Sequence, residues 1–259
     1  MCKKQLLGLS LSLLLMLSCM SVPQRGLVSV LPGATQLTVY LPLLQGKKVA
    51  LVVNSTLCVG ARHLVDVLLG QGIAVQKVFA PEHGFRGDHG ADLSIADAID
   101  STTGVPIVSL YGAVRKPTQE ILEDVDVVVF DIQDVGVRCY TYLSTLHCVM
   151  EACATYQCPL LVLDRPNPNG HYVDGSVLDL VFQSFVGKHP IPVVHGMTLG
   201  EMACMINGEG WLQDQTSVCL DSRYCEALYP PNTLYFTHPS IAQFAQRSGR
   251  SAVSLSELF

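Results

Sequence analysis

The chain has 259 residues, enough for one large domain or two modest ones, and carries a formal net charge of −6. Only 15% of its residues are charged and 49% are hydrophobic, whereas soluble domains have roughly 25% charged residues. Part of the excess of hydrophobic residues lies at the N-terminus, and the rest is typical of a sheet covered by helices on both faces. The negative charge and the lack of a Lys/Arg cluster argue against binding to nucleic acid.

The first residues are typical of a bacterial export signal. Two lysines precede an apolar core at residues 6–17, and Ser18-Cys19 follows that core. At about a dozen residues, the core is too short for a transmembrane helix. We therefore expect residues 1–19 to be a lipoprotein-type signal with Cys19 as the lipidated residue, and residues 20–40 to be a tether. The protein would be exported, and either periplasmic or anchored to the membrane. A plain secretory signal or a membrane anchor is the alternative.

The ten cysteines do not indicate a metal site or a redox motif, because none forms a Cys-x-x-Cys pair. Cys148, Cys153 and Cys204 fall within helical apolar patterns, where free cysteine is a small buried hydrophobe. The sequence leaves open whether Cys219 and Cys225 form a disulfide.

From residue 41 onward, apolar runs alternate with helical patterns. Five buried strands are predicted at residues 47–53, 73–80, 106–110, 125–130 and 159–163. Helices are predicted at residues 63–69, 117–122 and 142–156, and at 198–206, where Thr198 and Glu201 form a capping box. This alternation predicts an α/β fold with a doubly wound, mostly parallel sheet that has helices on both faces.

The predicted strands end in polar residues, and the carboxyl ends of parallel strands form the edge where ligands bind. The polar residues after the second to fifth strands are Glu82, His83, Arg86 and Asp88; Tyr111; Asp131, Gln133, Asp134, Arg138 and Tyr140; and Asp164, Arg165, Asn167 and Asn169. Polar residues after a single strand usually indicate only a turn. Several in one sheet favour a binding site.

Sequence motifs for common cofactors are absent. There is no Gly-x-Gly-x-x-Gly after a strand, no Gly-x-x-x-x-Gly-Lys-Ser/Thr and no Gly-x-Ser-x-Gly. We therefore expect no nucleotide cofactor and no serine nucleophile. A metal site built from His83, Asp88 and His89 is a weaker alternative, because their spacing is not that of ligands on a helix.

Carboxylates, arginines and hydroxyl groups along one edge suit a polar, partly anionic ligand such as a substituted sugar. Cleavage of a glycosidic bond needs an acid, and often a second carboxylate. Glu82 is the candidate acid, because partial burial beyond a strand would raise its pKa. The pattern does not decide whether Asp131 or Asp134 faces the crevice. One of Arg86, Arg138 and Arg165 would bind a ligand carboxylate in a bidentate fork.

Five motifs in order resemble the exo-β-N-acetylmuramidase (NamZ-type) family. They are Pro81-Glu-His-Gly-Phe-Arg-Gly-Asp88, Ser109-Leu-Tyr-Gly112, Phe130-Asp-Ile-Gln-Asp-Val-Gly-Val-Arg138 with Tyr140-Thr-Tyr142, Asp164-Arg-Pro-Asn-Pro-Asn-Gly170 and His195-Gly-Met-Thr-Leu-Gly-Glu201.

The resemblance implies a Rossmann-like catalytic domain at residues 41–210, a smaller C-terminal domain, and a cleft that holds the site. It also implies release of terminal N-acetylmuramic acid from peptidoglycan fragments without a cofactor. Glu82 matches the glutamate of the Pro-Glu-His-Gly motif, which would be catalytic. Asp134 is the second catalytic candidate, and His195 joins the residues predicted to bind the sugar, with the lactyl carboxylate bound by an arginine.

The resemblance fades after about Cys225. Only Pro231-Asn232 and Gly249-Arg250 echo later segments of the family. We therefore expect residues 211–259 to be a truncated or divergent remnant of the C-terminal domain. The alternative function is a non-catalytic, envelope-anchored sugar-binding module or an inactive remnant of the same family.

Overall fold

The structure is a computed structural model that describes residues 31–56, 58–86, 98–213 and 216–218. Several residues and segments discussed above lie outside these ranges: the predicted signal with Cys19, most of the predicted tether, Asp88, His89, Cys219, Cys225 and the segment from residue 219 to 259.

The described residues form a six-stranded sheet made of β1 (Lys48–Val52), β4 (Ala74–Ala80), β5 (Ala98–Ile99), β6 (Pro106–Ser109), β7 (Val127–Phe130) and β8 (Leu160–Val162). Their order in the sheet is β5-β6-β4-β1-β7-β8. Five strands run parallel, and β5 pairs antiparallel with β6 at the edge. The five predicted strands are confirmed. Strand β5 and a small antiparallel pair, β2 (Cys58–Val59) with β3 (Arg62–His63), were not predicted.

The central strands are buried on both faces. All four residues of β7 are buried, as are the last four of β1. Successive side chains of a strand point to opposite faces, so both faces of the sheet are covered here. The chain begins in the middle of the sheet, adds β4 and β6 on one side, and then returns to add β7 and β8 on the other. The loops after β1 and β7 therefore diverge at a topological switch point, where open α/β sheets bind ligands.

The helices are α1 (Leu37–Leu44), α2 (Leu64–Gly70), α3 (Gln119–Leu122), α4 (Tyr142–Thr155) and α5 (Leu199–Gly208), with 3₁₀ turns at Gly33–Thr35 and Leu180–Phe182. The predicted capping box is confirmed, because the side chains of Thr198 and Glu201 cap each other's backbone N–H groups. Helix α3 begins at Gln119 rather than at Pro117, which precedes the N-cap Thr118. None of the described helices combines the length and the apolar character needed to cross a membrane.

Cys148 and Cys153 lie buried in α4 as free thiols, and Cys204 lies half-buried in α5. This agrees with their prediction as small hydrophobic side chains within helices.

The domain begins earlier than the sequence predicted. Tyr40 is buried and its hydroxyl donates to the carbonyl of Ala34 at 2.9 Å. The N–H of Gly33 donates to the carbonyl of Asp164 at 2.8 Å, just beyond β8. Residues 33 to 40, which had been predicted as part of the tether, therefore pack within the domain. Pro32 and Gly33, two of the residues that suggested a tether, form the N-cap and the first position of the 3₁₀ turn.

Candidate active site

Glu82 is presented by a tight turn directly after β4. The N–H of Gly84 donates to the carbonyl of Pro81 at 3.0 Å, which closes the turn. His83 and Gly84 both have positive φ, at 72° and 78°. Positive φ is uncommon for a residue other than glycine, and such strain is concentrated at functional sites. His83 is exposed and Glu82 is half-buried.

One oxygen of Glu82 is bound by a residue at the start of α4. The Thr141 hydroxyl donates to Glu82 Oε2 at 2.5 Å. The other oxygen, Oε1, has no partner among the described residues. The end of β4 and the start of α4 therefore meet at the Glu82 carboxylate.

The hydroxyl of Tyr142 is influenced by several of these groups. Burial raises the pKa of Tyr142, a hydrogen bond with the Asn54 side chain lowers it, and the nearby carboxylates of Glu82 and Asp134 raise it further. Asn54 follows β1, Glu82 follows β4 and Asp134 follows β7. The ends of three strands around the switch point therefore contribute to one polar group.

Asp134 and His195 face each other in the interior beside this group. Oδ2 of Asp134 accepts from the N–H of Gly136 at 2.8 Å, and Nδ1 of His195 accepts from the N–H of Met197 at 3.3 Å. Asp134 Oδ1 and His195 Nε2 are buried without a partner among the described residues. His195 Nε2 lies 3.8 Å from Asp134 Oδ2, too far for a hydrogen bond.

The electrostatics of this pair follow from burial. Burial raises the pKa of Asp134, although hydrogen bonds from the N–H groups of Gly136 and Val135 oppose the rise. Burial also lowers the pKa of His195 to about 4, so that its imidazole is neutral near pH 7. Because Nδ1 accepts a hydrogen bond, we assign the imidazole proton to Nε2. His195 therefore directs an N–H donor toward the Asp134 carboxylate.

Asp131 and Arg165, both predicted to bind the ligand, bind each other. Arg165 donates from Nε to Asp131 Oδ1 at 2.5 Å and from Nη2 to Oδ2 at 2.9 Å. Asp131 is fully buried. This bidentate pair joins the residue after β7 to the loop after β8. The structure thus answers which aspartate is paired in the interior: Asp131 is, and Asp134 is not.

Asp164 joins β8 to α5. Its buried carboxylate accepts from the N–H groups of Arg165 and Gly200, at 2.9 and 2.8 Å, and from the Thr198 hydroxyl at 2.5 Å. Burial raises its pKa to about 6, against the effect of these hydrogen bonds. A Cβ on Gly200 would lie 2.7 Å from Asp164 Cγ, so the contact requires glycine.

Glu201 lies next to this junction. Its Oε2 accepts from the N–H of Thr198 at 2.8 Å in the capping box. Burial raises the pKa of Glu201 to about 7, and the nearby Asp164 carboxylate adds to the rise. The N-terminus of α5 is therefore built on two acids that resist ionisation.

Arg86 is neutralised by two aspartates. It donates to both oxygens of Asp100, at 2.9 and 2.8 Å, and to both oxygens of Asp66 in α2, at 2.9 and 3.3 Å. The Arg86 guanidinium holds the pKa of the Asp100 carboxyl at about 2. Arg86 thus anchors the end of the Glu82 loop to the body of the domain.

Arg138 is the third arginine that was predicted to compete for a ligand carboxylate. Its Nη1 donates to the carbonyls of Ser176, at 2.8 Å, and Ile191, at 2.5 Å. Its Nε and Nη2 have no partner among the described residues. Of the three arginines, Arg138 is therefore the one with N–H groups left over and no carboxylate bound in the part of the chain that the structure describes.

The amide side chains predicted to bind the ligand connect loops at the edge of the sheet. Gln133 donates to the carbonyls of Asp134 and Pro166, and Asn167 and Asn169 donate to those of Met197 and Val135. Asn167 also packs against Gly136, whose φ is 71° and where a Cβ would lie 2.2 Å from the Asn167 amide oxygen. Of the two tyrosines, Tyr111 is half-buried against the core and Tyr140 is exposed.

The structure therefore places Asp134 next to His195, and the Glu82 and Asp134 carboxylates both act on the Tyr142 hydroxyl. Asp131, Asp164, Arg165 and Arg86 brace the surrounding loops. Their roles as catalytic or substrate-binding residues stay predictions. Sequence reasoning missed Asn54, Thr141 and Tyr142. Asn54 could have been found by the strand-end rule, because it follows β1 as Glu82 follows β4.

A metal site has no support within the described residues, where no three His, Cys, Asp or Glu side chains gather as a metal would require. The weaker alternative of a site at His83 also involves Asp88 and His89, which lie outside those residues.

The fold and the site define an α/β protein of Rossmann-type strand order with carboxylates at the switch point. Residues 49–244 match the family described as exo-β-N-acetylmuramidase NamZ, N-terminal. The chain belongs to this family, as the motifs predicted.

Similar proteins agree with this assignment. The chain is 43% identical over 189 residues to the peptidoglycan β-N-acetylmuramidase NamZ of Bacillus subtilis (strain 168), a match that covers 72% of this chain and 44% of that protein. A DUF1343 family protein from Bacteroides fragilis NCTC 9343 is 48% identical with a TM-score of 0.67, covering 74% of this chain and 50% of that one. A second one from the same strain is 40% identical with a TM-score of 0.67, covering 73% and 48%. The chain thus spans about half the length of these relatives.

We predict that Asp131→Asn lowers the free energy of unfolding by about 3 kcal/mol, because it leaves the Arg165 guanidinium buried without its counter-charge. Chemical denaturation followed by circular dichroism measures this. The matched control is Asp124→Asn, which removes an ion pair with Lys77 of the same 2.5 Å N–O separation, but with 47% of the Asp124 side chain exposed. A surface pair contributes no more than about 1 kcal/mol. Equal losses in the two variants would contradict the structural role of Asp131.

We predict a pH-dependent difference for Glu201→Gln. The folded protein keeps the Glu201 proton up to about pH 7, whereas the unfolded chain releases it near the ordinary value of 4.5. The native state therefore binds more protons between these values, so this group's contribution to stability falls as pH rises through the window. Glutamine keeps the acceptor of the capping box without ionising. The stability of the variant relative to wild type should rise by about 2 to 3 kcal/mol between pH 4.5 and 7. A constant difference would contradict the raised pKa.

Proposed function

We propose that this chain is a glycoside hydrolase that releases terminal N-acetylmuramic acid from peptidoglycan fragments, with Glu82 as general acid and base. The observation that carries the proposal is the Glu82 carboxylate, which a strained turn presents after β4 and which acts, together with the Asp134 carboxylate, on the buried Tyr142 hydroxyl. Membership in the NamZ family and the name of the Bacillus subtilis relative support the substrate class.

The chemistry requires a proton at the leaving oxygen. As the bond between the anomeric carbon and that oxygen breaks, the acid gives its proton to the oxygen, and water then adds to the anomeric carbon and returns a proton. Glu82 has one oxygen bound by Thr141 and the other without a partner among the described residues. The second oxygen is the one that would exchange protons with the substrate and water.

Asp134 and His195 would act on the same sugar from the interior side. Asp134 Oδ1 is an acceptor and His195 Nε2 is a donor, and neither has a partner among the described residues. Such a donor and acceptor suit a hydroxyl group or the attacking water, each of which both donates and accepts hydrogen bonds. Leaving these groups unpaired in the interior costs free energy, which a bound ligand would recover.

Arg138 would bind the anionic part of the substrate. N-acetylmuramic acid carries a lactyl carboxylate, and arginine binds carboxylates through paired N–H donors. Arg86 and Arg165 already form bidentate pairs with aspartates, whereas Arg138 binds two backbone carbonyls. The free Nε and Nη2 of Arg138 are therefore our choice for this contact.

We predict that the wild-type protein hydrolyses a chromogenic aryl β-N-acetylmuramide and that Glu82→Gln lowers kcat/KM by about a hundredfold or more, because the amide cannot exchange the proton. The measurement is the rate of chromophore release. Glu123→Gln is the matched control on the surface after α3 and should keep wild-type activity. Full activity in Glu82→Gln would remove Glu82 from the role. Binding of N-acetylmuramic acid by folded wild-type protein without any turnover would favour a sugar-binding module instead.

We also propose that the protein is exported and lipidated at Cys19, on the basis of the basic, apolar and cysteine-ending pattern of residues 1–19. Expressed in a bacterium, the protein should fractionate with membranes and incorporate labelled fatty acid. Cys19→Ala should abolish the label. Unchanged labelling of the variant would refute lipidation at this residue, and an unlabelled wild-type protein would favour a plain secretory signal.

A further inference from the structure

Thr141 holds the position at which threonine usually caps a helix, yet its hydroxyl does not cap α4. An N-cap threonine normally accepts a hydrogen bond from a backbone N–H in the first turn. Thr141 is the N-cap of α4, with φ −77° and ψ −12°, and makes no such bond. Its hydroxyl instead donates to Glu82 Oε2 at 2.5 Å, across 59 residues of sequence. The hydroxyl therefore serves the carboxylate rather than the helix.

Both partners in this contact are attached to well-fixed backbone. The backbone N–H and the hydroxyl of Thr145 both donate to the Thr141 carbonyl, at 2.9 and 3.2 Å, which fixes the first turn of α4. Glu82 lies in the closed turn of Pro81 to Gly84, whose far end is anchored by the ion pairs of Arg86. A hydrogen bond between two such anchored points restricts the Glu82 side chain more than a contact with a mobile loop would.

We propose that Thr141 is a positioning residue for Glu82, an inference that rests on the proposed hydrolase function. Its hydroxyl binds Oε2 and holds the Glu82 side chain in one of its possible rotamers. Oε1 is then left facing the substrate. Holding a catalytic group in its reactive orientation accelerates the chemical step, whereas substrate affinity depends on other contacts. Loss of the hydroxyl should therefore lower kcat and leave KM nearly unchanged.

The test compares Thr141→Val, which removes the hydroxyl and keeps the branched shape, with Thr141→Ser, which keeps the hydroxyl. We expect Thr141→Val to lower kcat on the chromogenic β-N-acetylmuramide by about ten- to a hundredfold, the effect of one hydrogen bond to a charged group, with KM within about twofold. Thr141→Ser should restore kcat to within about threefold of wild type. Thermal unfolding confirms that each variant is folded.

The matched control is Thr155→Val, the same substitution in the last turn of α4. The Thr155 hydroxyl is exposed and donates only to the carbonyl of Glu151. This variant should keep wild-type kcat, which separates loss of the contact with Glu82 from a general effect of valine in the helix.

The outcomes distinguish this inference from the proposed function. If the wild-type protein is active and Thr141→Val keeps full kcat, the positioning role is refuted while the hydrolase function stands. The role is also refuted if Thr141→Ser is as impaired as Thr141→Val, because the hydroxyl would then not be the active feature. A folded wild-type protein with no turnover refutes the proposed function itself, and the positioning role of Thr141 with it.

Discussion

The buried Asp131–Arg165 ion pair and the neighbouring Asp164 carboxylate hold the loops of this domain together. Arg165 is bound to Asp131 after β7, and Asp164 accepts hydrogen bonds from the start of α5. The carbonyl of Asp164 accepts from Gly33, so the segment before α1 meets the same point. Burying charged groups costs several kcal/mol per ion unless each is paired with good geometry. Because the pairing is bidentate and the hydrogen bonds are short, this costly arrangement fixes the loop geometry on which the candidate site depends.

The buried polar groups that lack a hydrogen-bond partner point to where a ligand would bind. Asp131 and Asp164 have their oxygens bound within the protein, whereas Asp134 and His195 each bury an atom that has no partner among the described residues. Proteins rarely tolerate such groups without a reason, and a ligand that completes their hydrogen bonds is one such reason. The left-handed backbone of His83 adds a second local cost at the same edge of the sheet. The unpaired Asp134 and the strained His83 belong to the loops that follow β7 and β4, the two strands that flank β1.

The matched family segment, residues 49–244, contains both proposed catalytic carboxylates and the elements that hold them. Glu82 depends on β4 and on the start of α4, and Asp134 depends on β7 and on the loop that carries His195. These contacts lie within the described domain. The chain spans about half the length of its relatives.

The parts of the fold that depend on local chemistry can be predicted from the amino-acid sequence. Unbroken apolar runs such as Val127–Phe130 predict strands buried on both faces, and Thr198 with Glu201 predicts the start of α5, because these signals lie within a few residues. The strand-end rule also predicted the edge at which Glu82 and Asp134 lie. Which polar residues pair with each other is visible only in the folded structure. Arg165 binds Asp131 across 34 residues and Thr141 binds Glu82 across 59. The spacing of residues along the sequence does not predict such contacts, because they depend on how the strands and helices pack.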